Sequence, residues 1–123
     1  DFKTPHTVGE RIEEDYDQLK LGKGYDHTFV LDNVNEVIAT VYDPSTGRFM
    51  EVFTDQPGVQ FYCGNFLNGT LKGHGGKPYI YRSGLCLETG HYPDSPNHPD
   101  FPTTVLNPGE TFKSRTVYRF SVK

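Results

Sequence analysis

From Gly24 onward the apolar positions recur with a period of two, which points to strands rather than helices. Phe29 and Leu31 alternate with Val30. In residues 36–43, Val37, Ala39 and Val41 alternate with Ile38, Thr40 and Tyr42. Both faces of that segment are largely apolar, which predicts a central strand. Asp43-Pro44-Ser45-Thr46-Gly47 is a turn sequence, and residues 48–55 resume the alternation, so residues 36–55 predict a β-hairpin. Gln56-Pro57-Gly58 predicts a second turn and residues 59–63 a further strand. A polar, Gly-rich loop follows from Asn65 to Lys77, then a strand over 78–88 interrupted near Ser83-Gly84. In the last segment, Phe112, Thr116, Tyr118, Phe120 and Val122 share one parity, and Lys113, Arg115, Arg119 and Lys123 the other. That pattern predicts a half-buried antiparallel strand with one wet face. Helical periodicity is confined to residues 10–20, where Ile12, Tyr16 and Leu19 share a face. Six or seven short strands predict an all-β fold, an antiparallel β-sandwich.

Composition agrees. Only 34% of the 123 residues are hydrophobic, and 13 Gly and 9 Pro suit a loop-rich β-protein better than a helical one. The length allows one compact domain. The net charge is −4 and no run of Lys or Arg occurs, so there is no basic face for nucleic acid. No apolar stretch approaches the roughly 20 residues that span a bilayer, so no membrane association is expected. Cys63 and Cys86 lack metal-site spacing. They read as two buried thiols, with a single bridge in an oxidising compartment as the alternative. The chain begins Asp1-Phe2, without Met and without a signal-peptide pattern. Either a leader has been removed or this is a piece of a longer polypeptide.

Three places could carry chemistry. The apolar run 85–87 ends in a carboxylate, Glu88, and passes into a loop of Pro, Asp, Asn and His. Parity sets Leu85 and Leu87 on one face and Cys86 and Glu88 on the other. An ionised Glu on a covered face is costly unless paired or working, whereas one in water is unremarkable. Tyr25-Asp26-His27 stands between a Gly-Lys-Gly loop and a strand. There Asp26 could accept hydrogen bonds from sugar hydroxyls or simply stabilise a turn. The amide of Gln60, in the strand after Pro57-Gly58, can donate and accept at once, as diol recognition requires. His91, Asp94, His98 and Asp100 match no strong metal template, and no metal is expected. Asn68-Gly69-Thr70 fits a glycosylation sequon, which matters only in a eukaryotic secretory route.

In order along the chain, DFKTPHTVG at 1–9, GKGYDHTFVL at 22–31, TDQPGVQFYCGNFLNGT at 54–70, SGLCLETGHYPDSPNHPDFP at 83–102 and VLNPGETF at 105–112 resemble the aldose 1-epimerase (galactose mutarotase) family. The resemblance implies a large antiparallel β-sandwich whose two twisted sheets build a sugar cleft. It implies interconversion of the α and β anomers of galactose, glucose and related aldoses, without a cofactor. By motif, the base that takes the anomeric proton maps to Glu88, and sugar-binding positions map to Asp26 and Gln60. A carboxylate suits the base role because partial burial can raise its pKa toward neutrality. Gly90 stands where many relatives carry Gln.

The family's active-site histidines, including the acid that protonates the ring oxygen, belong to segments upstream of the motif with which this chain starts. None of His6, His27, His74, His91 or His98 matches them. Residues 1–123 therefore resemble the C-terminal part of a mutarotase-like domain, active only together with an N-terminal portion. The expected partners are a monosaccharide and either an N-terminal companion chain or further copies of this one. Alone, such a part should expose unpaired strand edges. A non-catalytic carbohydrate-binding module and an inactive fragment are the competing readings. A cytoplasmic location is expected, with the periplasm or secretion as alternatives.

Overall fold

The hairpin forms where the alternation is strongest. In the computed structural model, which describes residues 1–34 and 36–123, β2 (Val37–Asp43) and β3 (Arg48–Thr54) pair antiparallel across the turn at Asp43–Gly47. The Asp43 carboxylate accepts from Ser45 N (3.0 Å), Ser45 Oγ (2.7 Å) and Thr46 Oγ1 (2.6 Å), and Gly47 adopts φ +73° to close the turn. These bonds, from the hydroxyl of Thr46 first and then from Ser45, hold the Asp43 carboxyl below its usual pKa. Val37 faces Phe53 while Ala39 already faces Val52, so Ile38 is the extra residue of a β-bulge.

Among the described residues, six strands fall into two sheets: β1 (Asp26–Val30), β4 (Gly58–Tyr62) and β5 (Cys86–Gly90) make one, in the order β1-β4-β5, and β2, β3 and β6 (Thr116–Val122) the other, in the order β2-β3-β6. The all-β expectation is met: α1 (Asp17–Gly22) is the only α-helix among the described residues. By its contacts the chain divides into two compact units, residues 1–27 with 60–87 and residues 28–59 with 88–123.

The first unit buries Ile12, Leu19, Tyr25, Phe61 and Cys63. Phe2, Tyr25 and Phe61 form its aromatic cluster, with ring centroids 5.2–5.5 Å apart; such pairs add about 0.5–1.5 kcal/mol beyond their buried area. The helix predicted over 10–20 is realised only from Asp17. Tyr16, just before it, is extended at φ −129°, ψ 128° and makes no side-chain capping bond. It ends at Lys23 in the left-handed region, where the amides of Lys23 and Gly24 return to Lys20 and Leu19. The strand predicted over 78–88 is also shorter. Pro78 lacks an amide hydrogen, and the backbone of Tyr79 bonds locally to Gly69 and Leu71, so pairing as β5 begins at Cys86. Both cysteines are reduced thiols, but only Cys63 is buried, and Cys86 is exposed, contrary to expectation. Burial pushes the Cys63 thiol up to about 11.

The second unit centres on Val52, with no exposed surface, together with Val59, Thr54 and Gln56. Full burial of a Val contributes about 1.5–3 kcal/mol. β3, not β2, is the central strand of its sheet, because it pairs with β2 on one side and antiparallel with β6 on the other. The half-buried reading of the last strand is corrected as well. Tyr118, Phe120 and Val122 are 43%, 74% and 78% exposed on an edge strand, and only Thr116 and Val117 are half-buried. From β6, Arg119 makes a forked pair with Glu51 on β3, both bonds 2.8 Å.

Candidate functional site

In the first unit the structure brings together Asp26 and Gln60, 34 residues apart in sequence. β1 and β4 run antiparallel, with Cys63 N donating to Tyr25 O (3.1 Å) at one end and Leu31 N to Pro57 O (3.0 Å) at the other. In that register Asp26 and Gln60 are diagonal neighbours on one face, a separation that a long side chain can bridge. Gln60 Nε2 donates to Asp26 Oδ1 at 2.7 Å, and both residues are half-buried. The bond turns the amide nitrogen of Gln60 toward the carboxylate and fixes the orientation of both groups.

The turn before Asp26 is held from below. Asn65, 6% exposed, donates from Nδ2 to Tyr25 O (2.8 Å) and Gly22 O (3.2 Å). Arg82 donates to Asn65 Oδ1 (3.4 Å), to Lys23 O (3.2 Å) and to Glu13 Oε1 (2.8 Å). His27 is structural. Its Nδ1 accepts from Asp26 N (3.1 Å), so its Nε2 is the nitrogen that donates to Gln18 O (3.0 Å), tying β1 to α1. A shallow hollow lined by Val8, Ile12, Cys63, Arg82 and Leu85 opens in the same unit, and neither Asp26 nor Gln60 lines it.

In the second unit Glu88 is the middle residue of β5 and is exposed, so the cost of a carboxylate on a covered face does not arise. The neighbouring Thr89 is half-buried and shares a hydrogen bond with Thr116 (2.6 Å). The loop that follows is ordered by its own side chains. His98 lies 3.3 Å from Asp94 Oδ2 and stacks on Phe101, and His91 bonds to Gln56 Oε1 (3.0 Å). Among the described residues no three His, Cys, Asp or Glu side chains converge on one point. Asn68 Oδ1 accepts from Thr70 N (3.1 Å) and Oγ1 (2.6 Å), a turn closed within its own sequon. No helix among the described residues is long and apolar enough to cross a membrane.

The buried amides of Asn65 and Gln56 were not singled out from the sequence. Their signal was there to read: each is a polar side chain beside a Gly or Pro that bends the backbone, Gly64 before Asn65 and Pro57 after Gln56.

These elements define an all-β protein that carries a carboxylate and an amide on neighbouring strands, a combination suited to hydroxyl groups. The chain belongs to the aldose 1-epimerase family, whose model matches residues 1–119. It is similar to galactose mutarotase from Mus musculus, 52% identical over 101 residues, which cover 80% of this chain and 30% of that protein. Galactose mutarotase from Homo sapiens is 44% identical over 124 residues, covering 99% of this chain and 35% of the relative. Aldose 1-epimerase from Escherichia coli (strain K12) is 41% identical over 125 residues, covering 98% and 36%. The chain thus spans about a third of the length of the curated relatives it matches.

Proposed function

We propose that this chain is the C-terminal part of an enzyme that interconverts the α and β anomers of aldohexoses, galactose and glucose among them. In this reading Glu88 is the general base, and Asp26 and Gln60 hold the sugar's hydroxyls. Glu88 takes the proton of the anomeric hydroxyl, the electrons of that O–H bond form the aldehyde, and the bond from C1 to the ring oxygen breaks. The ring oxygen takes a proton from an acid supplied by the N-terminal portion of the enzyme. The aldehyde carbon turns, and the steps reverse with its other face attacked. Acid and base are both restored within one turnover, so no cofactor enters.

The observation that carries this reading is the family match over residues 1–119, with relatives named for the reaction. The bond between Asp26 and Gln60 supports it, since a carboxylate oriented by an amide is ready to accept from a hydroxyl. A cytoplasmic setting is part of the reading. The N-terminal portion is also the proposed cover for the exposed apolar face of β6.

Polarimetry on freshly dissolved α-D-galactose and α-D-glucose tests the proposal, using the complete polypeptide that carries this chain. Glu88→Gln should lower the rate by about 10²-fold or more, the usual worth of a positioned general base, while sugar binding survives. An unchanged rate in Glu88→Gln would remove the base assignment. Binding without any turnover in the parent protein would favour a carbohydrate-binding module instead.

A further inference from the structure

Next to Glu88 the second unit holds a polar network that the roles above leave unused. Thr54 and Gln56 are 2% and 7% exposed. Gln56 Nε2 donates to Asp55 Oδ1 (3.1 Å) and Ser114 Oγ (2.8 Å), and Ser114 Oγ donates to Asp55 Oδ1 (2.9 Å). Arg115 N adds a bond to Asp55 Oδ2 (2.9 Å). A carboxylate only accepts, so Asp55 sets the direction of the whole chain of bonds. Gln56 must turn its nitrogen to Asp55, its Oε1 then accepts, and His91 donates from Nδ1 (3.0 Å).

A second branch reaches β5 itself. Gln56 N donates to Thr54 Oγ1 (3.1 Å), Thr54 Oγ1 meets Thr116 Oγ1 (3.0 Å), and Thr116 Oγ1 meets Thr89 Oγ1 (2.6 Å). The segment that carries Glu88 is therefore tied at Thr89 and, just past the strand end, at His91. Residues two apart in an extended chain share a face, and the residue before Thr89 projects from the opposite one. The exposures agree: Thr89 is half-buried and Glu88 exposed. Backbone pairing alone does not call for a hydroxyl at 89, since Val is at least as good a strand former as Thr.

We infer that Thr89, acting through Thr116 and Thr54, and Gln56, acting through His91, are positioning residues that hold β5 so that Glu88 presents its carboxylate at one height and angle. The inference rests on the reading of Glu88 as the base. Its force comes from the sensitivity of proton transfer to geometry, where a displacement of about 1 Å can cost on the order of 10²-fold in rate.

The test uses the complete polypeptide that carries this chain, with steady-state mutarotation of α-D-galactose. Thr89→Val and Thr116→Val should each lower kcat about tenfold or more with KM changed less than about twofold, because chemistry rather than binding is disturbed. Thr89→Ser restores the hydroxyl and should stay within about twofold of the parent. In the Glu88→Gln background, Thr89→Val should cause no further loss, since a residue that acts through another has nothing left to position. The inference is overturned if Thr89→Val keeps the parental kcat while Glu88→Gln is impaired. It is equally overturned if Thr89→Ser falls as far as Thr89→Val, or if the two losses multiply in the double variant. A full rate in Glu88→Gln would instead overturn the base reading on which the inference stands. Should Thr89→Val fail to fold, Thr116→Val and Thr89→Ser decide the matter by the same criteria.

Discussion

Asn65→Ala should loosen the turn that delivers Asp26, by an amount the structure allows to be worked out. The side chain is 6% exposed and satisfies two carbonyls, Tyr25 O at 2.8 Å and Gly22 O at 3.2 Å. Loss of one hydrogen bond whose acceptor stays satisfied costs about 0.5–1.5 kcal/mol. Tyr25 O keeps the bond from Cys63 N at 3.1 Å, and Gly22 is half-buried and can take a water, so neither carbonyl is left bare. The bond from Arg82 Nε to Asn65 Oδ1, at 3.4 Å, is long and adds little. The expected loss is about 1–2 kcal/mol for the two bonds together, read as the shift in a urea unfolding curve followed by circular dichroism, because the chain has no Trp to report. Asn65→Asp should be worse than Asn65→Ala, since it keeps the shape but points an acceptor at two acceptors. Gly24→Ala probes the same turn from the other side: Gly24 has φ +124°, and an added Cβ would lie 2.5 Å from Asn65 Oδ1. If Asn65→Ala unfolds within about 0.5 kcal/mol of the parent, the ordinary range of a surface change, the amide does not hold the turn. An Asn65→Asp milder than Asn65→Ala would refute the donor argument directly.

Asp43 has a folded pKa below its ordinary value, so its contribution is complete above about pH 4 and fades as the pH falls through the folded pKa. The stability gap between the parent and Asp43→Asn should therefore narrow on acidification from pH 7 to pH 2, and a gap independent of pH in a denaturant series would contradict this. Cys63, buried with its thiol pushed up to about 11, should resist iodoacetamide at pH 8 until the protein is unfolded, as peptide mapping after timed labelling would reveal. Modification of Cys63 at the rate of a small-molecule thiol would show that its burial is wrong. Asp26→Asn should raise KM for galactose about tenfold or more, from the loss of charge-assisted hydrogen bonds to hydroxyls, with a smaller effect on kcat. An unaltered KM would remove Asp26 from sugar binding.

The parts of the fold legible in the sequence are those where local pattern and turn chemistry agree. Residues 36–55 combine strict alternation with a turn whose Asp43 and Gly47 each have a physical role, and the hairpin forms within a residue of its expected ends. Where only one signal is present, local pattern and structure part ways. Ile12, Tyr16 and Leu19 have helical spacing, but Tyr16 is extended and supplies no capping side chain, and only the last part coils. Apolar residues on both faces made β2 look central, yet position in a sheet depends on which strands come to pair, and β6 arrives from more than 60 residues away. Of the candidate site, Asp26 and Gln60 could be named singly from their motifs. Their mutual bond could not, because it depends on the register of β1 against β4. The network around Gln56 was hidden for the same reason, since its members come from residues 54–56, 89–91 and 114–116.

The bulge at Ile38 makes one point of the hairpin tolerant of a change in chain length. Because Ile38 faces no residue of its own on β3, excising it would leave Val37 and Ala39 opposite Phe53 and Val52 in an unbroken ladder. The same excision at Thr40 or Val41 would turn every side chain between the cut and the bulge inside out. Insertions and deletions among descendants of this sequence should therefore accumulate at position 38 and spare the rest of β2.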